Sequence, residues 1–157
     1  MAKPAKNYRP DGVTTITAHL SIRGAAQAID FYKKAFGAEE RSRMAMPDGK
    51  IGHASLKIGD STVYLTEEMG DGKSPATLGG STVTLAMYVP DCDATWKQAI
   101  TAGAKEIMPL QDQFWGDRWG VVADPFGHKW SISTQKEELT PQEVGERAKV
   151  AMQNAPR

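Results

Sequence analysis

The chain has 157 residues, enough for one domain or for two small halves sharing a core, and too few for a multidomain assembly. Hydrophobic residues make up 40% and charged residues 24%, a balance that supports a folded globular protein and excludes wholesale disorder. The 19 Lys and Arg balance the 19 Asp and Glu, and without a basic excess no nucleic-acid partner is expected. The single cysteine, Cys92, can form no internal disulfide and no thiolate metal site alone, which fits a reducing compartment. Apolar runs such as residues 83–89 fall far short of the roughly 20 residues that span a bilayer. The opening Met-Ala-Lys-Pro-Ala-Lys also lacks the apolar stretch of a signal peptide. A cytoplasmic protein with no membrane partner is the expectation.

Residues 1–12 mix Pro, Lys, Asn and Gly and read as a flexible leader. Between residues 13 and 23, Ile16, Ala18, Leu20 and Ile22 alternate with Thr15, Thr17, His19 and Ser21, the period of a strand. Residues 25–36 place Ala28, Ile29, Tyr32, Ala35 and Phe36 at helical spacing, with Gly37 as the stop. Three strands follow, at 39–46, 51–58 and 62–66, separated by the turns Pro47-Asp48-Gly49 and Gly59-Asp60. After a connector at 69–80 the same order returns: a strand at 82–89, a helix at 91–102 closed by Gly103, and strands at 105–108, 120–123 and 130–134. The repeat is one of pattern order, since identity between the halves is slight. Thr140 as cap, Pro141 and Glu143 announce a last helix running to about Gln153. The expected organisation is one domain at 13–134, with unit one at 13–68 and unit two at 81–134, followed by a helical tail at 135–157. The fold class is α+β: two βαβββ units whose curled sheets enclose a cavity, plus a C-terminal helix.

The run Ala28-Ile29-Asp30-Phe31-Tyr32-Lys33-Lys34-Ala35-Phe36-Gly37-Ala38 and the turn Asp124-Pro125-Phe126-Gly127-His128 resemble the vicinal oxygen chelate superfamily, which includes glyoxalase I, bleomycin-resistance proteins and extradiol dioxygenases. Ile51-Gly52-His53-Ala54 and the stretch from Phe114 to Gly120 resemble its PhnB-like branch. The resemblance covers residues 13–134. It implies a small organic ligand, a homodimer, and either lyase or isomerase chemistry on a carbonyl compound or non-catalytic sequestration of a drug or metabolite. A third reading is an interaction protein whose aromatic groove joins subunits.

Enzymes of the superfamily hold a divalent metal on histidine or related ligands in the first strand of each unit and a glutamate in the last strand. The resemblance puts Thr17, Thr84 and Ser131 at those positions, and hydroxyls substitute poorly for imidazole and carboxylate. The usual ion cage is therefore not expected. A displaced site would draw on His19, His53 and Glu67 (or Glu68), and these three are also the candidate catalytic groups. His19 shares a strand face with Thr17, and His53 shares one with Ser55 and Lys57. Each histidine has a structural alternative as a hydrogen-bonded strand residue. His128 reads as a turn residue and Asp124-Pro125-Phe126-Gly127 as turn chemistry. Cys92, at a helix start, lacks a histidine partner in sequence to make it a nucleophile.

Candidate ligand-binding residues are Phe114, Trp115, Arg118, Trp119 and Trp130. The aromatics wall a pocket or fill the core and a dimer seam, and Arg118 either grips an anionic or carbonyl ligand or pairs with Asp117.

Overall fold

The structure, a computed structural model, describes residues 2–154; Met1 of the expected leader and residues 155–157 of the expected tail lie outside the described residues. The chain divides into two compact units, Met1–Leu78 and Gly79–Arg157. Each contains one four-stranded mixed sheet with a helix on it, the paired βαβββ arrangement the sequence predicts.

In the first unit the elements are β1 (Ala18–Ile22), α1 (Ala25–Phe36), β2 (Glu39–Ala45), β3 (Ile51–Ile58) and β4 (Ser61–Glu67). The sheet order is β1-β4-β3-β2, with β1 and β4 parallel and the other pairs antiparallel. Leu20, Ile22, Ala54, Leu56, Val63 and Leu65 are buried on the face that α1 covers with Ala28, Ile29, Tyr32 and Ala35. Each large apolar side chain removed from water in this way contributes about 1.5–3 kcal/mol. The register between β2 and β3 jumps so that Gly52 has no partner, and this extra residue lets both Ile51 and Ala54 face the core. A Cβ on Gly52 would lie 3.0 Å from Met44 Cε and 3.2 Å from Met46 Cγ. The connector carries one helical turn that its Pro and Gly content did not announce, α2 (Pro75–Leu78). Glu68 accepts hydrogen bonds from Ser74 and Thr77 and so ties α2 to the end of β4.

The second unit comprises β5 (Thr84–Tyr88), α3 (Cys92–Ala102), β6 (Lys105–Asp112), β7 (Asp117–Ala123), β8 (Lys129–Gln135) and α4 (Pro141–Gln153), in sheet order β5-β8-β7-β6. β6 and β7 are longer than the sequence suggests. β6 runs past Met108 and through Pro109, which an edge strand tolerates because its unpaired side needs no N–H. Asp124 stitches the predicted turn, its Oδ1 accepting from the N–H groups of Phe126 (2.9 Å) and His128 (3.0 Å). α4 has the expected capping box, but none of its residues is fully buried, and an ion pair between Arg147 and Glu137 tethers it.

The two helix starts are built alike. α1 follows Gly24, which has no side chain to cap it; the Glu67 carboxylate instead accepts from the Gly24 and Ala25 N–H groups, both at 2.9 Å. In the second unit the Thr134 hydroxyl accepts from Cys92 N–H at 2.9 Å, across the same 42-residue separation that links Ala25 to Glu67. α3 has in addition a local cap, Asp91, which accepts from Ala94 N–H.

Two stability outcomes follow from these contacts. Glu67→Ala, which orphans two N–H groups at the start of α1, is expected to lower unfolding free energy in urea by about 1–2 kcal/mol. Gly120→Ala would place a Cβ 2.7 Å from Trp96 Cζ3 and within 2.9 Å of the Leu110 backbone, and is expected to cost about 1–3 kcal/mol by the same measurement.

Candidate functional site

Because α1 covers only one face of its sheet, alternation puts His19, His53, Ser55, Lys57, Thr62 and Tyr64 on the other. The register sets Tyr64 beside His19 on β1 and Ser55 on β3. Three rings meet there: His19 and His53 edge to face at 5.7 Å between centroids, His19 and Tyr64 at 6.0 Å, and His53 and Tyr64 at 5.0 Å. His19 remains exposed at the sheet surface, but partial desolvation among the neighbouring rings disfavours its charged form, and His53 adds like-charge repulsion. Both effects lower its pKa from the usual 6.5, so the ring is neutral at pH 7. A cavity of about 720 Å³ opens on this face, with His53, Ser55, Lys57, Thr62 and Tyr64 in its lining and residues 10–13 along one side. The Thr62 hydroxyl donates to the Gly12 carbonyl at 2.8 Å and holds that segment in place.

The three candidate catalytic residues therefore separate. His19 and His53 come together, whereas both oxygens of Glu67 are bound to the start of α1. Tyr64 was missed by the sequence reading, although its place between Val63 and Leu65 marks it as facing away from the core.

The five candidate ligand residues separate as well. Trp115 and Trp119 meet edge to face at 5.6 Å, and Phe114 meets Trp115 at 5.0 Å. Phe114 also lines a groove of about 430 Å³ with Glu146, Arg147, Val150 and Ala151 of α4. Trp130 belongs to the opposite face: it is buried beside Ile132 toward α3, and its indole N–H donates to Asp124 at 3.0 Å. Arg118 does not pair with Asp117. Adjacent strand residues point to opposite faces, so Arg118 turns to Asp93 (2.8 Å) and Asp112 (3.2 Å), while Asp117 accepts from Tyr88 Oη (2.7 Å) and Trp115 Nε1 (3.1 Å). Tyr88 and Asp117 thus join the aromatic group, a pairing across 29 residues that no local pattern reveals.

The positions the superfamily pattern assigns to metal ligands carry neutral hydroxyls. Thr17 donates to the Thr14 carbonyl, Thr84 is exposed at the start of β5, and Ser131 is buried. Among the described residues no three His, Cys, Asp or Glu side chains gather as metal ligands. This donor chemistry does not fit a divalent ion, which draws on imidazole and carboxylate, and no step below is routed through one.

No helix among the described residues is long and apolar enough to cross a membrane. An uncharacterised protein of Mycobacterium bovis is 46% identical over 134 residues, covering 82% of this chain and 88% of its own length. TioX from Micromonospora sp. ML1 shares the fold with a TM-score of 0.61 and 29% identity, over 81% of this chain and all of that one. A Bacillus cereus PhnB protein, described as a putative 3-demethylubiquinone-9 3-methyltransferase, matches with a TM-score of 0.55 over 77% of this chain and 99% of its own. Its identity is 17%, a likeness of fold. The model of the Glyoxalase/Bleomycin resistance protein/Dioxygenase superfamily matches residues 16–132, and the chain belongs to that superfamily.

Proposed function

We propose that the protein binds a small carbonyl compound on the open face of its first unit and moves a proton on it, as a glyoxalase-like isomerase or lyase. The observation that supports this reading is the meeting of His19 with His53 and Tyr64, the last two of which line a polar cavity. A neutral imidazole can take the proton from the carbon beside a carbonyl. A phenol or second imidazole then donates a hydrogen bond to the oxygen as it gains charge. Where the α-carbon carries a hydroxyl, return of that proton to the former carbonyl carbon, with the hydroxyl proton passing to the former carbonyl oxygen, completes an isomerisation without any redox partner. Glu67 holds the start of α1 and takes no part in the step.

The aromatic group of the second unit favours a second reading, sequestration of a ligand on Phe114, Trp115 and Trp119 without chemistry. In either case we place the protein in the cytoplasm as a homodimer. Met44, Ile107, Met108, Val150 and Met152 are exposed, and a second copy would cover such apolar side chains. Light scattering that gives a monomer at micromolar concentration removes the dimer.

The experiment is deuterium exchange in D2O, followed by NMR, on a panel of hydroxyketones, 2-oxo acids and hemithioacetals, with and without divalent metal. At least one compound is expected to exchange its α-proton, and His19→Ala to slow that exchange by about 10²–10⁴. Exchange that is unchanged in both His19→Ala and His53→Ala overturns the assignment, and tight binding without exchange favours sequestration.

The exchange rate should fall as acid protonates His19, at a pH below the ordinary imidazole value. Because His53 helps hold that value down, His53→Ala is expected to move the midpoint of the His19 ring titration upward, read from its NMR shift against pH.

A further inference from the structure

We infer that Tyr88, Trp115 and Trp119, backed by the carboxylate of Asp117, form a binding site for an organic cation, a quaternary or protonated amine on a small apolar body. The inference deepens the sequestration reading and rests on the aromatic group being a ligand surface. Asp117 is 6% exposed, and both donors that reach its Oδ2, the Tyr88 hydroxyl and the Trp115 indole N–H, are neutral. Among the described residues no Lys, Arg or His pairs with it; the adjacent Arg118 is drawn to Asp93 and Asp112. A buried carboxylate that lacks a counter-charge is unfavourable, and neutral hydrogen bonds offset that only in part. A bound cation would complete the balance.

The same hydrogen bonds prepare the rings. A phenol or indole that donates to a carboxylate becomes richer in electrons, and its face attracts a cation more strongly. The bond to Asp117, then burial, raises the pKa of Tyr88, so the phenol remains a donor at neutral pH. Tyr88 is 67% exposed and open to a ligand, and Trp115 and Trp119, packed edge to face at 5.6 Å, are half-buried and keep part of their ring surface accessible. An ammonium group is attracted to any accessible aromatic face, the more so beside a carboxylate.

The test compares choline with its neutral carbon isostere 3,3-dimethylbutan-1-ol, read by calorimetry and by the indole N–H resonances of Trp115 and Trp119. Choline is expected to shift those resonances and to bind at least about tenfold more tightly than the isostere. Asp117→Asn keeps an oxygen acceptor but removes the charge, and is expected to erase that preference with the thermal melting midpoint retained. Equal binding of the two probes overturns the cation inference and leaves sequestration standing. No response to either probe at millimolar concentration overturns both. A preference that survives Asp117→Asn overturns the part assigned to the carboxylate. The comparison on the unaltered protein decides the matter even where the variant does not fold.

Discussion

A single helix can cover one face of a four-stranded sheet and no more, and that constraint organises both units. Outside the bulges strand side chains alternate, so an apolar residue directed at α1 or α3 leaves its neighbours on the other face. In the first unit that face holds imidazoles, a phenol, hydroxyls and a lysine; in the second it holds an indole, a phenol and a carboxylate beside the buried Val121, Ser131 and Ser133. The candidate chemistry is what remains once the core has taken its half of each strand.

The order of elements was legible because each rests on local signals: period-two strands, an apolar stripe on α1, glycines at both helix ends and the capping box of α4. The candidate site was legible only in part. Only the β7–β8 register separates Trp130 from Trp119, since it sets Trp119 opposite Ser133 and Trp130 opposite Val122. Alternation within β7 separates Arg118 from Asp117. Illegible were the contacts that join distant strands: Tyr88 to Asp117, Tyr64 to the two histidines, and Glu67 to the start of α1. Those depend on sheet order and register, which no short stretch of sequence encodes.

Membership of the superfamily settles the scaffold but not the chemistry, because one fold supports many sites. Where the resemblance to the superfamily pattern puts metal ligands this chain has Thr17, Thr84 and Ser131, and His19 and His53 stand at other positions of the first sheet.

The two helix starts also differ in what they depend on. α3 finds an acceptor in Asp91, three residues ahead of the amide it caps, and its first turn can close before any sheet exists. α1 has no such neighbour; the oxygen that meets its first amides lies at the far end of β4, which the parallel pairing of β1 with β4 brings alongside across a long loop. Two halves with one plan therefore differ in how far each helix start relies on its sheet, the second having both a neighbouring and a distant acceptor and the first a distant carboxylate alone.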